Sequence, residues 1–110
     1  MNGTELIAAE RRRQIEAEGW TSEHDAHHTK GQLAWAAACY VAPESVYRVE
    51  LHDSYVAWRE PWPIEWVPNA NRGEPGYVPW RRPATDRIRE LVKAGALIAA
   101  EIDRLQAVTR

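Results

Sequence analysis

The densest chemistry in the chain lies in Glu18-Gly19-Trp20-Thr21-Ser22-Glu23-His24-Asp25-Ala26-His27-His28, where an indole, a carboxylate and three imidazoles follow a glycine. Imidazole changes charge near neutral pH and ligates metals through a ring nitrogen, while indole offers a flat face for stacking. His24 and His28 stand four apart, the spacing of the paired imidazoles in His-Glu-x-x-His zinc hydrolases, with Asp25 a methylene shorter than the acid of that motif. The residues leave three readings open. Asp25 caps a short helix and the histidines face solvent. Alternatively His24 and His28 hold a metal, with His52, Asp53 or a distant carboxylate as third ligand. Or His24, Asp25 and His28 hydrogen-bond the edge of a polar ligand stacked near Trp20.

Six tryptophans and four tyrosines without a phenylalanine favour rings that carry a polar handle. A small domain also wedges indoles into irregular loops to enlarge its core. Trp62 and Trp66 join Trp20 as ligand-binding candidates, with a contact patch for a protein partner as their other use. Arg81-Arg82-Pro83, just before Thr85 and Asp86, combines guanidinium forks with the start of a long helix and suits a phosphate, although Asp86 as a cap fills the same electrostatic role. A Gly-rich phosphate loop and a Gly-x-Ser-x-Gly elbow are both absent from the sequence.

At 110 residues the chain is expected to form one domain, and 45% hydrophobic with 27% charged residues is a globular composition. A formal charge of −2 gives no general pull toward duplex nucleic acid. The lone Cys39, inside an apolar run, is expected to pack as a small hydrophobe and suits a reducing cytosol. With no long apolar run and no cleavable leader, the expectation is a cytoplasmic protein that leaves membranes alone.

The elements that must position these groups are read from caps and periodicity. Thr4 as cap and Gly19 as stop bound a helix over 5–18, thin in apolar residues and expected on the outside, with Arg11 to Arg13 snorkelling or facing water. Ser22 with Asp25 resembles a capping box for a short helix through His28. The alanine-rich run over 32–41 is expected as the central buried helix, ending before Pro43. Alternation in 46–51 and 55–58 predicts a hairpin within 46–59. Residues 60–83 hold six of the seven prolines and form an irregular loop with Trp62, Trp66 and Trp80. Ile88, Leu91, Val92, Gly95, Ile98, Ile102 and Leu105 recur at three- and four-residue steps and predict a long scaffold helix over 85–107. The fold class is α+β, mainly α: a helical N-terminal part over 4–42, one hairpin, a Pro/Trp-rich loop and the long helix.

Residues 16–25 with His28, then Gly31-Gln32-Leu33-Ala34, Ala36 to Tyr40, and Arg89 to Ile98 with Glu101-Ile102 and Arg104-Leu105, resemble a family of small uncharacterised phage and prophage proteins. Members tend to carry a second acid where this chain has Ala26. Arg13 to Thr21 with Asp25, Val78-Pro79-Trp80, and Asp86-Arg87 through Leu91 and Gly95 are similar to the ryanodine-receptor repeat domain, whose tyrosine is replaced here by Trp80. That resemblance implies a mainly helical domain with a small β element and a groove for adenine-type nucleotides, the tryptophan and acid of the turn lying near the ligand.

The leading expectation is a phage-type, non-catalytic protein that binds a small nucleotide-derived molecule and sequesters a host defence signal in the host cytoplasm. Trp20 would stack on the base, His24, Asp25 and His28 would meet its edge or ribose, and Arg81 and Arg82 its phosphate. No cofactor is expected. The alternatives are a small metal-dependent hydrolase at His24 and His28, a helical nucleotide pyrophosphohydrolase, or a protein-binding inhibitor that uses the Trp-rich loop. The stripe of the long helix could also serve a homodimer.

Overall fold

The computed structural model describes residues 1–44, 46–59, 61–63, 66 and 86–108. The chain is a small α+β protein, mainly α, with helices α1 (Gly3–Glu18), α2 (Ser22–Asp25) and α3 (Gln32–Val41), strands β1 (Arg48–Leu51) and β2 (Val56–Arg59), and helix α4 (Arg87–Val108). The strands form one antiparallel hairpin in which Val49 faces Trp58 and Leu51 faces Val56. Among the described residues no helix is long and apolar enough to cross a membrane.

Asn2, not Thr4, caps α1. Its side chain accepts the Glu5 N–H at 2.9 Å, and the Glu5 carboxylate accepts the Asn2 N–H at 3.0 Å, which closes a reciprocal box two residues earlier than expected. Gly19 ends the helix in the left-handed region, at φ 74°, where a side chain would be strained.

The core is built from small residues. Leu33, Ala36 and Ala37 of α3 pack on Ala94, Leu97 and Ala100 of α4, with Trp20, Tyr40, Trp62 and Trp66 partly buried around them. Alanine faces let two helix backbones approach closely, and the indoles then close the gaps at the periphery. Cys39 is buried beside this core, as its apolar run implies.

This packing overturns the expected core face of the long helix. Ile88 (68% exposed), Leu91, Ile98, Ile102 and Leu105 all lie on the outer side, and of the stripe only Val92 is buried. The large residues have the right spacing for a core, but the alanine face wins because it fits against the alanines of α3. At the middle of the stripe, Ile7 of α1 stands over Gly95: a Cβ there would lie 2.5 Å from Ile7 Cδ1. The same logic leaves Trp35 37% exposed on α3, with the Arg48 guanidinium 4.7 Å above its ring.

Helix α1 departs from expectation in what it buries. Its two fully buried residues are Glu10 and Gln14, not its aliphatics. Glu10 accepts from Nε and Nη2 of Arg13 (2.8 and 3.0 Å), from Nη2 of Arg89 on α4 (2.7 Å) and from Nε2 of Gln14 (3.2 Å). Charged hydrogen bonds on every side are what make such burial tolerable. The hydrogen bonds from Arg13 first, and then from Arg89, hold the Glu10 carboxyl down to about 2 against the opposing effect of burial.

Candidate functional site

The turn after α1 sets the site. With Gly19 left-handed, the Trp20 N–H returns to the Gln14 carbonyl at 3.0 Å, and Arg11 Nη1 donates to the Trp20 carbonyl at 3.2 Å. Thr21 is then the cap of α2, accepting the His24 N–H on its hydroxyl at 3.3 Å. The expected box between Ser22 and Asp25 is not formed, because the Asp25 side chain turns inward instead of back along the helix.

Asp25 is 2% exposed. Its Oδ2 accepts from Arg11 Nη2 at 3.1 Å, and its Oδ1 lies 3.3 Å from His24 Nδ1. Asp25 is therefore not a surface cap, while His24, 46% exposed, and His27 do face solvent as that reading expected. Arg11 itself is largely buried and has Asp103 of α4 3.9 Å away, so it neither snorkels nor faces water. The helix expected through His28 stops at Asp25. The chain continues as a tight turn in which His27 N–H reaches the His24 carbonyl (3.3 Å) and His28 N–H the Asp25 carbonyl (3.0 Å).

These turns bring the rings into a row. Trp20 and His24 lie parallel within 5°, centroids 6.4 Å apart; His24 and His28 meet edge to face at 5.0 Å, and His28 and Trp66 at 5.2 Å. Trp66 in turn abuts Trp62 at 5.6 Å, and Trp62 abuts Tyr40 at 5.7 Å. Trp20, His24, Asp25, His28, Leu33 and Trp66 line a half-open cavity of about 270 Å³, to which α3 contributes the apolar Leu33.

Of the residues singled out from the sequence, Trp20, His24, Asp25, His28 and Trp66 therefore share one cavity, while Trp62 stands behind Trp66 as support. Arg81 and Arg82, proposed for a phosphate, lie outside the described residues, as does Trp80. His52, considered as a third metal ligand, stacks on Tyr55 at the hairpin, centroids 4.3 Å apart, and does not line the cavity. Sequence reasoning missed Arg11 and Leu33. Nothing in the run of three arginines separates Arg11 from its neighbours, since its role depends on where α2 folds back.

The cavity can take a flat group between aromatic walls and meet its polar edge with two imidazoles and a carboxylate. His24, Asp25 and His28 also present three ligand atoms within 4.8 Å of one another. A second cavity, about 260 Å³ beside Glu10, Arg13 and Arg89, is centred on groups already held to one another by hydrogen bonds.

Fold and cavity thus define a small, mainly helical α+β protein with one aromatic-walled, histidine-edged site among its described residues. No family model, curated protein or solved structure matches the chain.

Proposed function

We propose that the chain is a non-catalytic binding protein for a small nucleotide-derived molecule, held in the cavity between Trp20 and Trp66. The observation that carries this reading is the convergence of two indoles and two imidazoles on a cavity with a single buried carboxylate at its edge. At about 270 Å³ the space is near the lower bound of roughly 300 Å³ for small-molecule sites, room for one base with its sugar. Trp20 and Trp66 stack on the base, an interaction worth about 1–3 kcal/mol per base. Asp25 accepts a ring or exocyclic N–H, and His24 and His28 donate or accept at the edge or ribose. Arg81 and Arg82 are the proposed phosphate contacts. The phage-type resemblance adds the finer proposal that such binding sequesters a host signalling nucleotide.

Trp62 and Trp66 are half-buried against the core and each other, so this reading uses them as a wall and its support. Calorimetry against mono-, di- and cyclic nucleotides, run with a chelator present, tests it. At least one member should give saturable heat, and Trp20→Ala should weaken that binding roughly 5- to 150-fold, the equivalent of one lost stack. Absence of heat from every member overturns the proposal.

A further inference from the structure

We propose that His24, Asp25 and His28 form a site for a divalent transition-metal ion of the zinc class. The inference goes beyond nucleotide binding and does not depend on it. Two imidazole nitrogens and one carboxylate oxygen are a donor set that suits Zn²⁺, Co²⁺ or Ni²⁺, whereas Mg²⁺ and Ca²⁺ prefer oxygen alone.

The spacing fits. Two donors bound tetrahedrally at about 2.0–2.1 Å lie about 3.3 Å from each other. His24 Nδ1 and Asp25 Oδ1 are 3.3 Å apart. All three ligand atoms fall within 4.8 Å of one another, and the His28 ring already packs edge-on to His24 at 5.0 Å, so the third ligand is at hand beside the other two.

The surroundings fit as well. Metal-ligating carboxylates are usually fixed by an outer hydrogen bond that leaves one oxygen for the ion. Arg11 Nη2 does this at Asp25 Oδ2, 3.1 Å away, on the side away from His24. The backbone of the turn is held by Thr21 Oγ1 on the His24 N–H (3.3 Å) and by the Asp25 carbonyl on the His28 N–H (3.0 Å). Half-exposed His24 leaves an entry path, and the cavity leaves the fourth position open to water or to an anionic group of a ligand.

The test is a titration of the chelator-stripped full chain with Co²⁺ and Zn²⁺, with no nucleotide present. One equivalent should bind, Co²⁺ should develop the strong visible absorption of a tetrahedral site, and Zn²⁺ should displace it. His24→Ala and His28→Ala should each weaken binding at least tenfold, while His27→Ala, an exposed neighbour, should bind as the wild type does. Far-UV circular dichroism of the alanine variants should match the wild type, since His24 and His28 lie at the cavity edge. Absence of saturable binding, or equal binding by the wild type and the His24→Ala/His28→Ala double variant, overturns the proposal. Because the nucleotide panel is run with chelator, either proposal can fail without the other.

Discussion

The guanidinium of Arg11 joins two walls of the cavity at once: it lies 3.1 Å from the carboxylate of Asp25 and donates to the carbonyl of Trp20 at 3.2 Å. One side chain from the middle of α1 therefore holds both the acid of α2 and the backbone that carries the Trp20 indole. The carboxylate is buried at 2% exposure, and a charge in that position needs its partner.

Removing one member of this pair should cost far more than removing both. Arg11→Met leaves a buried carboxylate with only His24 beside it and is expected to destabilise the fold by about 3–5 kcal/mol. The double variant Arg11→Met/Asp25→Leu replaces the pair with apolar volume and should recover most of that loss. Urea denaturation followed by tryptophan fluorescence gives both values. A single variant within about 0.5 kcal/mol of the wild type would show that the pair holds nothing.

Glu10 makes stability depend on acid. Its carboxyl is lowered from 4.5 to about 2, first by the hydrogen bond from Arg13 and then by Arg89. Between those values the unfolded chain takes up a proton that the folded chain refuses, so stability is complete above about 4.5 and falls as pH drops toward 2. The stabilisation at stake is about 3 kcal/mol, since each tenfold change in proton affinity is worth about 1.4 kcal/mol. Glu10→Gln should lose an amount of that order at neutral pH, and thermal melts of variant and wild type should converge toward pH 2. Parallel pH profiles for the two proteins would contradict this.

Arg87 closes the end of α3. Its Nη1 donates to the Tyr40 carbonyl at 2.8 Å and the Ala42 carbonyl at 3.3 Å, and its Nη2 donates to the Val41 carbonyl. The last carbonyls of a helix have no partner within it, and a cation there also meets the negative end of the dipole. Arg87→Ala should cost about 1–2 kcal/mol. Arg87→Lys keeps the charge but loses the planar fork, so it should recover less than half. Chemical denaturation of the three proteins orders them.

Local chemistry was the legible part of this fold. Gly19 as a helix stop, the alanine-rich helix before Pro43 and the hairpin around His52-Asp53-Ser54 follow from backbone preferences that act within a few residues. The proximity of His24, Asp25 and His28 follows from their spacing too. What escaped was set by partners distant in sequence. Trp66 reaches His28 across the whole of α3 and the hairpin, Arg11 meets Asp25 only because Gly19 reverses the chain, and Glu10 is buried only because α4 brings Arg89. The long helix misled for a related reason. Its large aliphatics carry the stronger periodic signal, yet a face of alanines packs better when the facing helix offers alanines as well.

Gly95 is where that close packing is most exposed to change. It sits in the middle of α4, where alanine would normally stabilise a helix by up to about 1 kcal/mol. Here an added Cβ would lie 2.5 Å from Cδ1, 2.7 Å from Cγ1 and 3.2 Å from Cγ2 of Ile7. Rotating the tip of Ile7 relieves only the first of these, so α1 must shift or the side chain must leave its rotamer, at a cost of about 1–3 kcal/mol. Gly95→Ala is therefore expected to lower stability by about 1 kcal/mol net despite its better propensity. Ile7→Ala alone should also destabilise, by loss of buried surface. Combined, the two substitutions should be less damaging than their sum, because the new methyl occupies space that Ile7 has vacated. A double-mutant cycle from urea midpoints measures that coupling. If Gly95→Ala raises the midpoint, or if the two effects simply add, α1 does not press on α4 at this point.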